Sequence, residues 1–318
     1  MNKDLLNLFK SKTFEDVLYE WLNFKKNTIK ESSYIKYLNQ IETNITPYIN
    51  NTNFKKITLN QIIFLFNNEN IKKLSNSTKN NILLIIKAVI NYGISKNYRR
   101  NFPNINLNFP RDKNEITYFS KKEQEIITKY IYKNMNLRNL IIIVALFSGL
   151  RIGELCSLKG TDIDFVNYTI SVSRKVQRIK DTSNCSNKTK LVIDSTKTKC
   201  SNRIVPVPNF IIGLLKQYTN DKNNYIFTNS SKPKDPRTVE KYFTNLLNKL
   251  GIKNLNFHSL RHTYATRLME QKVDIKVISE LLGHSDWKTT QSIYVHASFE
   301  YKKESINELN NLLKSKSS

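Results

Sequence analysis

The spacing of apolar residues in the N-terminal third of the chain predicts a helical domain. Four apolar stripes recur at intervals of three and four residues, the period of an amphipathic helix. They run from Phe14 to Leu22, from Tyr34 to Ile45, from Leu59 to Phe66 and from Ile82 to Ile90. Thr13 and Thr58 each precede a stripe in a pattern typical of a capping box. The second stripe stops before Pro47 and the fourth ends near Gly93. We therefore expect four helices over residues 11–101.

A segment without helical or strand periodicity follows. Residues 102–110 contain two prolines, which predicts an extended linker over residues 102–115. Ser120 then opens a helix with another capping-box pattern. The apolar run Leu140–Phe147 predicts a buried helix that ends at Gly149.

Beyond the buried helix the hydrophobic period changes to two, which indicates β-strands. Apolar residues alternate on both sides of Asn167 and predict a hairpin. Residues 180–190 are rich in Asn, Ser and Lys and predict a mobile loop. Val192–Ser195 and Ile204–Val207 predict two further strands, the second at a sheet edge because Pro206 cannot donate a ladder hydrogen bond.

These elements predict a two-domain, mainly α fold class. An all-α four-helix domain is followed by an α+β domain with a small antiparallel sheet over residues 116–300, and residues 301–318 form a tail helix. Ile306, Leu309 and Leu313 give the tail a narrow apolar stripe. A helix this short is unstable alone, so the tail must pack either on its own domain or on a neighbouring copy.

The charge of the chain points to a polyanionic partner. Lys and Arg number 51 against 26 Asp and Glu, which gives a net charge of +25. Such a balance fits nucleic acid or an anionic membrane surface. No stretch is apolar enough to span a bilayer, and the first residues do not read as a signal peptide. Nucleic acid is therefore favoured over membrane. The three cysteines form no pairing motif, which fits a reducing cytosol and a cytoplasmic protein.

The rare residues of the chain suggest phosphodiester chemistry. All four histidines lie between His258 and His296. His258 and Arg261 are three positions apart and would share one face of a helix. A guanidinium can hold two phosphate oxygens at once, and a phenol such as that of Tyr294 can attack phosphorus. Arginine and imidazole would stabilise the charge of the transition state without a metal or cofactor.

Four phrases, in order, resemble the tyrosine recombinase (phage integrase) family. They are Ser148-Gly149-Leu150-Arg151-Ile152-Gly153-Glu154-Leu155, His258-Ser259-Leu260-Arg261-His262, Leu281-Leu282-Gly283-His284-Ser285 and Ile293-Tyr294-Val295-His296. Each phrase is moderately specific, and the four in this order are very specific. The resemblance is sharp from about residue 116 to residue 300 and rests on the helix pattern alone over residues 11–101, where the family carries its core-binding domain.

The resemblance implies a role for each matching position. Arg151 corresponds to the first catalytic arginine and Glu154 to the acidic residue that supports it. His258 and Arg261 correspond to the catalytic His-x-x-Arg pair, and His284 corresponds to the catalytic histidine-or-tryptophan position. Tyr294 corresponds to the nucleophile. The family also places a general-acid lysine in the hairpin before the strand Ile204–Val207. By that pattern Lys197 is the first choice and Lys199 the second.

The resemblance further implies a site-specific DNA recombinase that clamps a duplex between its two domains. Such an enzyme forms a 3′-phosphotyrosine link and needs no cofactor. Its partners would be double-stranded DNA with inverted-repeat core sites and three further copies of itself, as a homotetramer on two sites. An accessory directionality factor is a further partner that the family allows. The tail helix would dock into a neighbouring protomer.

Several alternatives stay open at this point. A type IB topoisomerase-like relaxer would use the same chemistry, and a catalytically inactive DNA-binding regulator would keep only the binding. Within recombination, a phage or mobile-element integrase competes with an invertase or an Xer-type resolvase. The spacing of His258 and His262 also fits zinc, but no third ligand phrase accompanies it, so His262 is interpreted as structural.

Overall fold

A computed structural model of the chain describes residues 12–49, 51–110, 117–182, 188–195 and 202–284, together with residue 306. The chain divides into two compact units, Met1–Asn114 and Glu115–Ser318. We call them the N-terminal unit and the C-terminal unit. Both are mainly helical, and the C-terminal unit adds small antiparallel sheets, which confirms the predicted fold class. None of the helices in the described ranges has the length and apolar composition that a bilayer-spanning helix needs.

The described part of the N-terminal unit contains the four predicted helices and two single-turn helices. They are α1 (Phe14–Lys26), α2 (Glu31–Asn44), α3 (Thr46–Ile49), α4 (Leu59–Asn67), α5 (Glu69–Lys72) and α6 (Asn76–Ser95). The predicted capping boxes at Thr13 and Thr58 are both present. The single turns α3 and α5 were not predicted, because four residues are too few to show a period.

Helix α6 runs past the position at which the sequence predicted its end. It continues through Gly93 to Ser95. A Cβ atom at Gly93 would lie 2.2 Å from Cζ of Phe54, a ring that is buried in the core of this unit. The glycine is therefore needed for close packing of an aromatic ring and does not terminate the helix.

Residues 102–110 contain no helix or strand, and they pack against the N-terminal unit. Ile105 is buried in the core, and Phe102, Leu107 and Phe109 lie against it. The side chain of Asn80 donates a hydrogen bond of 2.7 Å to the carbonyl oxygen of Phe109. The linker and domain bounds drawn from the sequence remain a proposal.

The described part of the C-terminal unit contains seven helices. They are α7 (Lys121–Lys133), α8 (Leu137–Ser148), α9 (Ile152–Leu155), α10 (Asn209–Tyr218), α11 (Pro236–Lys249), α12 (Phe257–Glu270) and α13 (Ile275–Leu282), with a 3-10 turn at Gly160–Asp162. The capping box at Ser120 is present. Helix α8 is buried from Asn139 to Leu146 and again at Ser148 and ends at Gly149, both as predicted. It is the central helix of the larger core.

The strands form two antiparallel sheets instead of one. Their bounds are β1 (Ile163–Asp164), β2 (Thr169–Val172), β3 (Arg174–Lys180), β4 (Thr189–Ser195) and β5 (Arg203–Pro206). One sheet has the order β1-β2-β5, and β3 pairs with β4 in the other. Ile170 lies opposite Ile163 on one side and Val205 on the other. Within the described residues β5 has one neighbour, β2, so Pro206 does lie in an edge strand.

The predicted loop over residues 180–190 is partly wrong. Strand β3 reaches Lys180 and β4 begins at Thr189. The sequence of β3, Arg-Lys-Val-Gln-Arg-Ile-Lys, has only two buried positions, Val176 and Ile179. Because these two positions are three residues apart, the strand shows no alternating apolar period. Arg178 anchors the strand with hydrogen bonds of 3.0 Å and 2.7 Å from Nε and Nη2 to the carboxylate of Asp235.

Candidate active site

Three separate elements bring the predicted site residues of the described ranges together. Arg151 and Glu154 lie at the start of α9, Arg261 in α12 and His284 directly after α13. His258, in the first turn of α12, borders the same groove as Arg151. The other predicted site residues, Lys197 with its alternative Lys199 and the nucleophile Tyr294, lie outside the described residues.

A sharp turn between α8 and α9 presents the first arginine. Gly149 has a φ of +64°, a conformation that L side chains rarely adopt. A Cβ atom there would lie 2.4 Å from the ring of Tyr264, so glycine is required on both counts. The carbonyl of Gly149 accepts a hydrogen bond of 2.7 Å from Nη1 of Arg261. The turn thus positions both the start of α9 and the guanidinium of Arg261.

Glu154 is the only carboxylate that the described residues place among these arginines. Its side chain is 4% exposed. Oε1 lies 2.9 Å from Nη1 of Arg151, and Oε2 lies 2.9 Å from Nη2 of Arg203. Burial alone would raise the pKa of Glu154, but the bonds and charge of Arg203, and then of Arg151, outweigh it and lower that pKa. The carboxylate is therefore ionised at neutral pH.

The three arginines donate hydrogen bonds to backbone carbonyl oxygens at the end of α13 and at the residue that follows it. Nε of Arg203 donates to the carbonyl of Leu281 at 2.8 Å, and Nη2 of Arg261 donates to that of Leu282 at 2.6 Å. Nη2 of Arg151 donates to the carbonyl of Gly283 at 3.2 Å. The negative end of the helix dipole lies here, so cations are stabilised at this position.

His284 is neutral in this arrangement. Its Nε2 lies 2.8 Å from Nη2 of Arg261. A guanidinium can only donate, so Nε2 must be the acceptor and the ring proton lies on Nδ1. Burial, and then the charges of Arg261 and Arg151, lower the pKa of His284 to about 3. Burial and Arg151 also lower the pKa of Arg261, although a guanidinium keeps its charge at neutral pH.

His258 stacks edge to face against His262, with ring centroids 4.6 Å apart. Partial desolvation, followed by the charges of Arg261 and Arg151, lowers the pKa of His258. The pKa of His262 falls to about 4 by burial and by His258. Nδ1 of His262 is buried without a hydrogen-bond partner in the described part of the chain. No group of three or more metal-ligating side chains occurs among the described residues.

The three arginines differ in exposure, which indicates that they have different roles. The side chain of Arg151 is 36% exposed, whereas that of Arg203 is 7% exposed. Arg261 is 2% exposed. The groove next to Arg151 is bordered by three further basic residues, Lys175, Arg178 and Arg237, and by one further carboxylate, Glu240. Three guanidiniums around a single carboxylate leave an excess of positive charge, which suits a phosphate bound at Arg151.

Sequence reasoning missed Arg203. This residue stands just before the predicted strand Ile204–Val207 and received no role, because no spacing distinguishes a buried arginine from an exposed one. The available signal was its position directly after the segment with the candidate lysines and before the edge strand. The structure gives Arg203 as many bonds to Glu154 as Arg151 has.

Two family descriptions match the chain. The Phage integrase family matches residues 117–301. The description "Phage integrase, N-terminal SAM-like domain" matches residues 13–69. The first covers most of the C-terminal unit, and the second covers half of the N-terminal unit.

Named relatives are similar over nearly the whole chain. A tyrosine recombinase XerC-like protein of Caldanaerobacter subterraneus subsp. tengcongensis is 30% identical, over 96% of this chain and 84% of its own length. The integrase of Staphylococcus phage L54a is 27% identical, over 98% of this chain and 97% of its own length. Among solved structures, the Tn1549 transposon integrase in complex with transposon right end DNA has a TM-score of 0.76. It is 21% identical, with 94% of this chain and 100% of that chain covered, and it shows the same fold.

Proposed function

The chain belongs to the phage integrase family, and we propose that the residues around Glu154 hold the phosphate at which it cuts DNA. The chain is a tyrosine recombinase, an enzyme that cleaves and rejoins DNA at specific sites. The observation that supports the proposed site is the cluster of Arg151, Arg203 and Arg261 around one buried carboxylate. Of these three, Arg151 is open to a ligand.

In this proposal the scissile phosphate binds between Arg151 and His258. The guanidiniums of Arg151 and Arg261 balance the negative charge that grows on the non-bridging oxygens. His258 and His284 have lowered pKa values, so they act as neutral hydrogen-bonding groups and add no charge. Glu154 keeps Arg151 oriented and does not contact the substrate.

The bond changes that we propose involve residues beyond the described ranges. The phenol of Tyr294 gives its proton to the neutral imidazole of His258 as its oxygen attacks phosphorus, and the bond from phosphorus to the 5′ oxygen breaks. Lys197 gives a proton to the departing oxygen, with Lys199 as the alternative donor. The 5′-hydroxyl of a partner duplex then attacks the phosphotyrosine and displaces the phenol. The ester conserves the bond energy, so the reaction requires no nucleotide cofactor.

The proposed partner is double-stranded DNA with inverted-repeat core sites. The net charge of +25 supports binding to a polyanion, and the Tn1549 integrase has the same fold and is bound to transposon DNA. We also propose that four copies assemble on two sites and that the tail over residues 301–318 joins them. Removal of the tail after Ser298 should then abolish cooperative two-site complexes in a gel shift and leave one-site binding intact.

Within the family we favour an integrase of a phage or mobile element over an Xer-type resolvase. Relatives of both kinds are similar to the chain over most of its length. The β3–β4 hairpin, a separate two-stranded sheet inserted between β2 and β5, favours the first.

One experiment separates the proposed activity from its rivals. Randomised duplexes are selected on the Tyr294→Phe variant, and the recovered sequence, the selected duplex, becomes the probe. Wild-type protein should form a covalent adduct on a nicked form of this duplex and exchange strands between two copies. Adduct formation with plasmid relaxation but no exchange would indicate a topoisomerase, and binding without an adduct would indicate a regulator.

A further inference from the structure

Arg203 lies where three parts of the candidate site meet. It is the first residue of β5, and its side chain is 7% exposed. Nη1 and Nη2 bond the two carboxylate oxygens of Glu154 at 3.2 Å and 2.9 Å. Nε bonds the carbonyl of Leu281 at 2.8 Å. Nε, Nη1 and Nη2 of Arg203 thus all donate to protein groups, which is the arrangement of an arginine that supports its neighbours instead of binding a phosphate.

Arg203 controls the orientation of Glu154, and Glu154 in turn holds Arg151. The same two carboxylate oxygens that Arg203 bonds also accept from Arg151, Oε1 from its side chain and Oε2 from its backbone N–H, both at 2.9 Å. The carboxylate can rotate only if its two hydrogen bonds with Arg203 break. The position of the exposed guanidinium of Arg151 therefore depends on Arg203.

Arg203 also fixes the turn that leads to His284. Gly283 has a φ of +64°, and a Cβ atom there would lie 2.9 Å from Nη1 of Arg203. The helix end thus closes directly over the guanidinium, and His284 is the next residue. A shift of Arg203 would move this turn and with it the hydrogen bond between His284 and Arg261.

We propose that Arg203 is a positioning residue for strand cleavage that acts on the scissile phosphate only through Arg151 and His284. The inference rests on the proposed function of the site. This role requires the planar guanidinium of arginine, which bonds both oxygens of Glu154 and the carbonyl of Leu281. The ammonium of lysine is a point charge and cannot make these three bonds in the same geometry. Arg203→Lys therefore keeps the charge and removes the positioning.

The first test measures cleavage and binding by Arg203→Lys on the selected duplex. Because small misplacements of a catalytic group slow a reaction strongly, we expect single-turnover cleavage to fall by about tenfold or more. The dissociation constant should stay within about twofold, since all three guanidinium nitrogens of Arg203 already donate to protein groups. In the double variant with Arg151→Lys, the loss of cleavage rate should be smaller than the product of the two single losses. Both substitutions change the position of the same cation, that of residue 151.

Two further readouts distinguish positioning from general weakening of the fold. A methylphosphonate at the scissile position is neutral, so the reaction needs less positive charge from the protein. It should therefore reduce the loss of cleavage rate in both Arg203→Lys and Arg151→Lys. Nitrogen NMR of the His284 ring should change in Arg203→Lys without DNA. The control is Arg267→Lys. Arg267 also bridges a carboxylate, that of Glu270, and a carbonyl, that of Phe119, and this variant should cleave normally.

Wild-type cleavage by Arg203→Lys with an unchanged His284 spectrum would overturn the inference. If Arg203→Lys does not fold, Gly283→Ala replaces it, because its added Cβ displaces the guanidinium without removing it. Failure of the wild-type protein to form any adduct would refute the proposed function instead. The His284 spectrum would still decide whether Arg203 sets the geometry of the site.

Discussion

Replacement of Glu154 by glutamine should destabilise the C-terminal unit far more than the loss of an ordinary ion pair. The carboxylate is 4% exposed and bonds two arginines, and a third arginine, Arg261, is close enough for its pKa to respond to Glu154. Glutamine keeps the size of the side chain and removes its charge, so the buried guanidiniums lose their counter-charge. Breaking a buried pair by removing one partner costs about 3–5 kcal/mol.

The matched control is Glu270→Gln. Glu270 also pairs with an arginine, Arg267, but its side chain is 28% exposed. Exposed pairs contribute about 0–1 kcal/mol, so this variant should change stability by no more than that. Hydrogen exchange of the amides in α8 reports the free energy of unfolding of the C-terminal unit, and amides in α6 of the N-terminal unit serve as an internal reference.

The stability that Glu154 contributes should depend on pH in a direction set by its pKa shift. The pKa of Glu154 is lowered below its ordinary value of 4.5, so its stabilising charge is fully present above that value and is lost as pH falls through the lower, folded-state pKa. The difference between wild type and Glu154→Gln should therefore be constant from pH 7 to about pH 5 and shrink in more acidic solution. A difference under about 1 kcal/mol at pH 7, or one that already shrinks above pH 5, would refute the reasoning.

Three further predictions concern the backbone, the DNA and the general acid. Gly149→Ala should destabilise the C-terminal unit by more than about 1–2 kcal/mol in thermal unfolding, because its φ is +64° and Tyr264 blocks the new Cβ. Gly213→Ala, in open space on α10, should stabilise it by about 0.5–1 kcal/mol, and equal effects would contradict the packing argument. The slope of log K against log salt for the selected duplex should be about −5 or steeper, and a nearly flat line would exclude the several phosphate contacts that the net charge of +25 suggests. Lys197→Ala should cleave slowly and recover on a duplex with a 5′-bridging phosphorothiolate, whose sulfur leaves without a proton; rescue of Lys199→Ala instead would move the general acid to Lys199.

Local sequence signals predicted those parts of the fold that depend on local physics. The capping boxes at Thr13, Thr58 and Ser120 satisfy backbone N–H groups within four residues, and each helix start was predicted correctly. Gly149 ended α8 for a similarly local reason, its left-handed conformation. Gly93 gave the same signal and was misinterpreted, because its role is a contact with Phe54, about forty positions earlier in the chain.

The parts that were missed depend on partners distant in sequence. Strand β3 is held by its pairing with β4 and by Asp235, so its own charged sequence shows no strand period. Arg203 has its bonds to Glu154 and Leu281, 49 and 78 positions away. The positions of Arg151, Glu154, His258, Arg261 and His284 came from a family motif, and the motif carried no information on this additional arginine.

The most direct test of the central claim is identification of the residue that becomes linked to DNA. Wild-type protein is incubated with the nicked selected duplex, digested, and the DNA-linked peptide is sequenced by mass spectrometry. We expect a 3′-phosphotyrosine at Tyr294, and Tyr294→Phe should bind the duplex with unchanged affinity and yield no adduct. An adduct of normal yield in Tyr294→Phe, or a link to any other residue, would contradict this claim.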